Sequence, residues 1–503
     1  MQSSNKRCNA LQSVFGIFLH ASNTPETVRE LLSRIGVSIS PNAINEAVSS
    51  LSKEAEAEVR RLGHTQLVSY AYDNLDIDLK HSVPTVENPQ DTLIHLTTGT
   101  MLPLYHGVSL RDLDCSDILW KGSVNNPRAR RQDLPLIETE HLLKLHPEAP
   151  HPSNLLRRER FNAWKFLHDL VYFGPEYFHK FRIDLGDPEE IECIPVVRTS
   201  QVPNRSLDIS PNAPAQNAEA ITALLRQAGV GDPSEDPRVE TIGNHIVLIS
   251  GDLLTGERIR SLLDSRSEET TPWRRMQFVV YVMGLFHLKM ACADAIWRVF
   301  IRPKKACNDK NSLMEQISQI RPKETGKIAS KPGFRRMHEV IQHVGIVSRL
   351  DCWRIKAGNN TNFRTLDDFA GSKPSWAQLQ DMANQLALEQ VGTSDPDLTL
   401  LQSDQSASRD YQRENTLRRQ QYFLLYEEIS HALNAGDIGR VETCFMPWSF
   451  IFQGCGKHKY AAELRRYLEN VHFIYPKGLA YVPCQLVGIL LIVNWFPTAT
   501  PSE

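Results

Sequence analysis

Two aspartates follow stretches of sequence that are typical of β-strands, and carboxylates in such places can hold metal ions for phosphoryl-transfer chemistry. Asp73 closes the run LVSYAYD, and Asp252 comes two positions after the run HIVLIS. Hard cations such as Mg²⁺ or Mn²⁺ need oxygen ligands, and paired ions polarise a scissile phosphate and activate water. A third acid usually arrives on a later helix, and Glu463 in HKYAAELRRYLENV is the natural candidate. The three acids therefore predict a catalytic site in which Asp73 and Asp252 bind the metal.

Other residues could contact a nucleic acid, although each also has an ordinary structural role. Arg258 lies in the helix predicted after Asp252 and could hold a phosphate. His287 in GLFHLKM could contact a scissile strand, but a hydrogen-bonded core histidine fits its apolar neighbours as well. Aspartates at strand ends are themselves common as turn and cap residues. Cys455 and His458 have a metal-like spacing without a second pair, so no zinc site is expected there.

One basic stretch gives the chain a candidate surface for DNA. Residues 298–336 contain eleven Lys and Arg against three Asp and Glu, including Arg302, Lys304 and Lys305. Such a stretch can follow a nucleic-acid backbone, although a solvated loop is the alternative. The formal net charge of the whole chain is −3, so any attraction to DNA has to be local.

The elements that must position these residues can be predicted from hydrophobic periodicity. Leu67–Asp73 alternates as a strand does, and Thr92–Leu104 is its expected antiparallel partner. His245–Ser250 is a near-continuous apolar run and predicts a strand buried on both faces. Ile191–Val197 is a further candidate strand, whereas Pro272–Phe300 predicts a long apolar helix or a pair of helices. Residues 1–65 have helical periodicity.

Bulk composition indicates a globular, intracellular protein of several packed units. The chain has 503 residues, of which 41% are hydrophobic and 23% charged. Nine cysteines without a CxxC pair argue against disulfides and favour a reducing compartment, nuclear or cytoplasmic. The uncharged segment 478–497 is interrupted, and its apolar stretch Leu486–Val493 suits a buried strand better than a membrane anchor. No motif implies a small-molecule cofactor, and nothing in the sequence sets the oligomeric state.

Several phrases, taken together and in order, closely resemble a known family. They are YAYDNLDIDLKHSVPTVEN, HLTTGTMLPL, ISGDLLTGERIRSLLDSRSEE, GLFHLKMACADAIWR and GCGKHKYAAELRRYLENV. The resemblance covers about residues 8 to 475, and it is to a transposon-associated family of unknown function that is expanded in basidiomycete (mushroom-forming) fungi. Its layout is similar to that of DDE/D transposases. The resemblance therefore implies an RNase H-like core in which Asp73, Asp252 and Glu463 form the site.

The expected fold class is α/β, with a mixed-sheet RNase H-like core interrupted by large, mainly helical insertions and preceded by an N-terminal helical unit. The expected units are the helical unit 1–65, the first core strands 66–104, an insertion 105–240, the central strand and apolar helices 241–300, a basic and then helical insertion 301–440, and the last core helix with an atypical tail 441–503. The 179 positions between Asp73 and Asp252 (252 − 73) make the first insertion necessary.

Two functions stay open at this point. The first is a metal-dependent DNA strand transferase or nuclease that uses Mg²⁺ or Mn²⁺. The second is a catalytically inactive, domesticated or truncated remnant that binds DNA or a protein. After Tyr475 the chain departs from the family pattern and becomes uncharged, which predicts a truncated or aberrant C-terminus and favours the second function.

Overall fold

The computed structural model describes residues 9–78, 93–129, 136–303, 310–359, 363–392, 410–480 and 482. The chain divides into two compact units, and each unit is built from two separate segments. The first unit contains Met1–Arg128 and Thr199–Tyr281, and the second contains Ala129–Arg198 and Val282–Glu503. None of the helices in the described ranges is both long and apolar enough to cross a membrane. The apolar stretch Leu486–Val493 lies outside the described residues.

The elements up to the central strand follow one another in chain order. They are α1 (Ala10–Ala21), α2 (Glu26–Arg34), α3 (Pro41–Gly63), β1 (Val68–Asp78), β2 (Leu93–Pro103), α4 (Leu110–Leu113), α5 (Ser116–Lys121), α6 (Thr139–Leu143), α7 (Arg157–Phe173), a 3₁₀ helix (Glu176–Phe181), α8 (Arg182–Leu185), β3 (Val202–Pro203), α9 (Pro214–Gln227), β4 (Val230–Gly231), β5 (Glu240–Thr241) and β6 (Val247–Gly251). The three N-terminal helices confirm the helical periodicity predicted for residues 1–65.

The remaining elements are mainly helical. They are α10 (Leu253–Ser265), β7 (Val279–Met283), α11 (Leu285–Phe300), α12 (Leu313–Ile320), a 3₁₀ helix (Pro322–Glu324), α13 (Thr325–Ser330), α14 (Gly333–Asn359), α15 (Leu366–Gly371), α16 (Trp376–Glu389), α17 (Tyr411–Ala435), α18 (Ile438–Gly454), α19 (His458–Glu469) and a π-helical turn (Asn470–Ile474). The helical character predicted for the region after residue 336 is confirmed.

A five-stranded mixed sheet has the strand order β3-β2-β1-β6-β7. Strands β1 and β2 are antiparallel from Val68↔Pro103 to Asp78↔Leu93, and β3 pairs antiparallel with the outer side of β2. Strand β6 lies parallel to β1, with Ala71 opposite Ser250. The α/β class and the three strands β1, β2 and β6 are therefore as predicted.

Side-chain alternation along β1 explains how the sheet is anchored. Val68, Tyr70 and Tyr72 are almost completely buried in one cluster with residues of helices α3, α9 and α10. Helix α3 ends at Gly63, and a glycine is required there because a Cβ at this position would lie 2.1 Å from the carbonyl oxygen of Ala228. The core of the first unit thus lies on the face of the sheet that carries the two tyrosines.

The second unit is held by an apolar core and by buried ion pairs. Its core joins α7, α14 and α16 through residues such as Phe166, Trp353 and Leu386. The fully buried Arg349 on α14 donates from Nε to Asp169 Oδ2 at 2.6 Å and from Nη2 to Glu427 Oε2 at 2.8 Å. Burial opposes the charge of Arg349, but the two carboxylates outweigh it and raise the pKa of the guanidinium.

Two predicted elements were wrong. Pro272–Phe300 is not one helix or a helix pair, since it contains a turn, strand β7 and helix α11, with Gly284 separating the last two. A short apolar run in a strand and one in a buried helix look alike in sequence, which explains the error. Ile191–Val197 forms no strand beyond a single bridge from Cys193 to Asp437. Pro195, which lacks a backbone N–H, disfavours a ladder there.

Candidate functional site

Asp73 and Asp252 belong to neighbouring strands of the sheet. Ala71 of β1 is paired with Ser250 of β6, and Asp73 and Asp252 each lie two residues further along their own strand direction. One expectation needs correction, because Asp73 does not end its strand. Strand β1 continues to Asp78, and Asp73 lies in its middle, opposite Thr98 of β2. Strand β6 ends at Gly251, so Asp252 does follow a strand end directly.

Asp73 lies on the face of the sheet opposite the tyrosines. Side chains alternate along a strand, so Asp73 points away from the face on which Tyr72 is buried. Its side chain is exposed, and Oδ1 accepts a hydrogen bond of 2.8 Å from the backbone N–H of Asn74. Other residues of this face near the start of the strand, Ser69 and its β2 partner Leu102, are buried, so the exposure is local to Asp73.

Asp252 is the N-cap of helix α10. Its Oδ1 accepts a hydrogen bond of 2.7 Å from the backbone N–H of Thr255. Its carbonyl oxygen accepts a hydrogen bond of 2.7 Å from the hydroxyl of Tyr281. Aspartate is among the preferred N-cap residues because its side chain satisfies an N–H that has no partner within the helix. The half-buried Asp252 therefore has a structural role that does not need a metal.

Arg258 lies on the same helix, close to the buried face of β1. The pKa of Tyr72 is raised, mainly by burial. The positive charge of Arg258 opposes this rise and the negative charge of Asp252 adds to it, so both charges act on the Tyr72 hydroxyl. Arg258 Nη2 donates to Asn212 Oδ1 at 3.1 Å, and the Tyr72 hydroxyl donates to Asn217 Oδ1 at 2.8 Å. The guanidinium thus already has a protein acceptor where a phosphate was predicted.

The other predicted residues belong to the second unit. Glu463 is buried on α19, and its Oε2 accepts a 2.7 Å hydrogen bond from Nη1 of Arg466, three residues further along the helix. His287 is half-buried on α11 in edge contact with Phe286, and Arg302 is exposed just after that helix. Lys304 and Lys305 lie outside the described residues.

A different group of side chains converges within the second unit. Throughout the described part of the chain, one set of three His, Cys, Asp or Glu residues has ligand atoms within 4.8 Å of one another, and it consists of His146, Glu442 and His472. His146 Nε2 lies 2.8 Å from Glu442 Oε2, and His472 Nε2 lies 2.6 Å from the same oxygen. The two imidazole rings meet edge to face with centroids 5.7 Å apart. We refer to these three residues as the His–Glu–His cluster.

Each member of the His–Glu–His cluster comes from a different local structure. Glu442 lies on α18, whereas His146 follows α6 in a loop and His472 lies in the π-helical turn after α19. Burial raises the pKa of Glu442, but the hydrogen bonds from the two histidines outweigh it, and the net pKa is lowered. Burial lowers the pKa of His472, but Glu442 outweighs burial and raises it. The cluster therefore favours a negative carboxylate beside a positive partner.

A cleft of about 930 Å³ in the second unit is lined by His146 and Glu442. Arg157, Arg158 and Tyr422 line it as well. Arg158 donates from Nε to Glu428 at 2.8 Å, and Arg157 donates from Nη1 to the carbonyl oxygen of His146 at 2.9 Å. The His–Glu–His cluster is thus accessible from a space large enough for a small molecule.

Sequence reasoning did not find the His–Glu–His cluster, and we see no local signal that would have revealed it. His146 and Glu442 are 296 positions apart, and Glu442 and His472 are 30 apart. Neither spacing forms a recognised metal motif. The convergence depends on the packing of three elements, which periodicity does not report.

Comparison with known proteins gives one match. The sequence model of a family of unknown function (DUF6589) matches residues 137–487. The matched range includes Asp252, Glu463 and all three residues of the His–Glu–His cluster, and it excludes Asp73. No curated protein matches the chain significantly, and no solved structure does.

Proposed function

The chain belongs to the family of unknown function DUF6589, and from that premise we propose that its five-stranded sheet is an RNase H-like core that cuts or joins DNA with the help of metal ions. The observation that carries the proposal is the parallel pairing of β1 with β6, which brings Asp73 and Asp252 to neighbouring positions. Mg²⁺ or Mn²⁺ is the proposed cofactor, because carboxylates suit such ions.

The arrangement of the chain supports this proposal. The family resemblance implies two strands that each carry or precede a catalytic aspartate. In the structure, β1 contains Asp73, and β6 ends at Gly251 directly before Asp252. Such a layout requires a long insertion between the two acids. Residues Ala129–Arg198, which lie between β2 and β3 in the sequence, belong to the second unit, as an insertion would.

Each acid would have a distinct role in this mechanism. Asp73, whose side chain is exposed, would hold a metal ion that also binds the scissile phosphate. Asp252 has a second carboxylate oxygen beyond the one that caps α10, and this oxygen would share the ion. Glu463 remains our candidate for the third acid, and binding a metal would require its carboxylate to leave Arg466.

A second candidate function is a catalytically inactive remnant that binds DNA or a protein. One observation favours it, since the N-cap at Asp252 and the ion pair at Glu463 give two of the three predicted acids structural roles. Under this function the basic residues around Arg302 would bind DNA without cutting it.

The deciding experiment measures nicking of supercoiled DNA by the full chain with Mg²⁺ or Mn²⁺. We expect Asp73→Asn and Asp252→Asn each to reduce the rate at least about 100-fold, because a neutral amide is a poor ligand for these ions. Asp76→Asn is the matched control, since Asp76 is an exposed aspartate of the same strand whose carboxylate lies 2.7 Å from the ring of His95. Unchanged nicking by Asp252→Asn would exclude the proposed mechanism, and an inert wild-type chain that binds DNA would establish the remnant.

A further inference from the structure

The ligand atoms of the His–Glu–His cluster lie within 4.8 Å of one another, as those of a three-ligand metal site do. Both Nε2 atoms point at one carboxylate oxygen, at 2.8 and 2.6 Å. Zinc binds imidazole nitrogen and carboxylate oxygen at about 2.0–2.2 Å, so neighbouring ligand atoms of a tetrahedral site are roughly 3.3 Å apart. Each contact would therefore have to open by less than about 1 Å to admit a zinc ion.

The backbone is irregular at both histidines. His146 has a φ of 54°, in the left-handed region that side-chain-bearing residues seldom adopt. His472 lies within the π-helical turn Asn470–Ile474, and single π-helical turns occur frequently at functional sites. Both irregularities cost free energy, and both orient an imidazole toward Glu442. Two of the three members of the cluster therefore lie at departures from regular backbone.

Burial and access also fit an ion. The Glu442 side chain is 2% exposed, that of His146 is 11% exposed and that of His472 is 24% exposed. A carboxylate buried to this degree needs a compensating positive charge, and a divalent cation could replace His472 in that role. The cleft beside His146 and Glu442 leaves one direction open, and a zinc site with three protein ligands keeps its fourth position for water or another ligand.

We propose that His146, Glu442 and His472 bind one Zn²⁺ ion, with the fourth position facing the cleft. Two imidazoles and one carboxylate favour zinc over Mg²⁺ or Ca²⁺, which prefer all-oxygen sites. Arg157 and Arg158 line the same cleft, so the chemical class that fits beside the ion is an anionic or carbonyl-containing ligand. The site uses other residues than the proposed nuclease centre and does not depend on it.

The test uses the full-length chain after treatment with a chelator. After this chain has been loaded with Zn²⁺ and dialysed, we expect one Zn²⁺ per chain by elemental analysis. When Co²⁺ is used instead of zinc, we expect the visible absorption of a four-coordinate Co²⁺ ion. Glu442→Gln and His472→Asn should each weaken Zn²⁺ binding at least about 100-fold, because loss of even an outer partner of a ligand costs 10–100-fold. His458→Ala is the matched control, since His458 is an exposed histidine of the same unit, and it should bind as the wild type does.

The outcomes separate this site from the proposed nuclease centre. Wild-type chain that retains no zinc, or His472→Asn that binds zinc as tightly as the wild type, would overturn the proposal and leave a hydrogen-bonded triad. Asp252→Asn should keep its full zinc content whether or not it nicks DNA. Thermal unfolding without metal checks that each variant is folded. If Glu442→Gln is unfolded, zinc binding by His472→Asn decides, because His472 is more exposed than Glu442.

Discussion

Asp252 combines an observed structural role with a proposed chemical one, and a series of substitutions can separate them. Its Oδ1 accepts the N–H of Thr255 at 2.7 Å and caps α10. Replacing an N-cap by alanine costs about 1 kcal/mol of stability, in a range of roughly 0.5–2. Asparagine and serine keep an acceptor at this position, so they lose mainly the interaction of the charge with the helix dipole, about 0.3–1 kcal/mol.

The two roles therefore predict different orders among the variants. For the free energy of unfolding we expect the order Asp > Asn ≈ Ser > Ala, with Asp252→Ala lower than wild type by about 1–2 kcal/mol. For metal-dependent nicking we expect activity from the wild type and a large loss in all three variants, because none of the three replacements carries a carboxylate. Urea-induced unfolding measures the first quantity, and initial nicking rates at equal protein concentration measure the second.

A matched cap in the second unit controls for destabilisation. Ser312 caps α12 through a 3.1 Å hydrogen bond from the backbone N–H of Glu315, and it is an uncharged residue that belongs to neither proposed metal site. Ser312→Ala should cost a similar free energy of unfolding and leave nicking unchanged. Our reasoning is refuted if Asp252→Asn nicks as the wild type does, or if it unfolds as easily as Asp252→Ala.

Two further predictions concern stability. Arg349→Met removes the fully buried cation that Asp169 and Glu427 share and leaves them with Lys165, whose Nζ lies 2.6 and 3.5 Å from them. It should lower the free energy of unfolding by up to about 3–5 kcal/mol. Arg354→Met on the same helix removes an exposed pair at 2.8 Å and should cost under about 1 kcal/mol; equal costs in urea would refute this account. Burial, and then the charge of Lys289, lower the pKa of His338 to about 4. The unfolded chain therefore binds this proton more readily, and stability should fall as pH decreases from about 6.5 to 4, by at most about 3 kcal/mol; His338→Gln should flatten that part of the curve.

The parts of the fold that could be predicted are those with a local pattern. Val68, Tyr70 and Tyr72 alternate with small or polar residues, and this period of two indicated β1 directly. Strand β7 could not be separated from the helix after it, because Val279–Met283 and the start of α11 are equally apolar. The length of β1 also escaped prediction, since Asn74, Asp76 and Asp78 disfavour a strand by propensity and this part of β1 is held by pairing with β2.

The candidate sites differ in the same way. Asp73 and Asp252 could be singled out because each adjoins a strand that the sequence shows, and their neighbouring positions follow from how those strands pair. The groups that hydrogen-bond to these acids could not be predicted, among them the backbone N–H of Thr255, which donates to Asp252. The His–Glu–His cluster had no local pattern at all, because its members meet only through tertiary packing.

During synthesis, one strand edge of the first unit is made long before the strand that pairs with it. Strands β1 and β2 leave the ribosome early, but β6 begins 144 residues after β2 ends (247 − 103). At 5–20 residues per second, the β1 edge that will pair with β6 waits roughly 7–30 s without its partner. An unpaired strand edge is a template for pairing with other chains, so the nascent protein is exposed to aggregation during this interval. A fragment cut at residues 137 and 487 would face the opposite defect, since it would contain β6 and β7 but never the strand that joins them to the rest of the sheet.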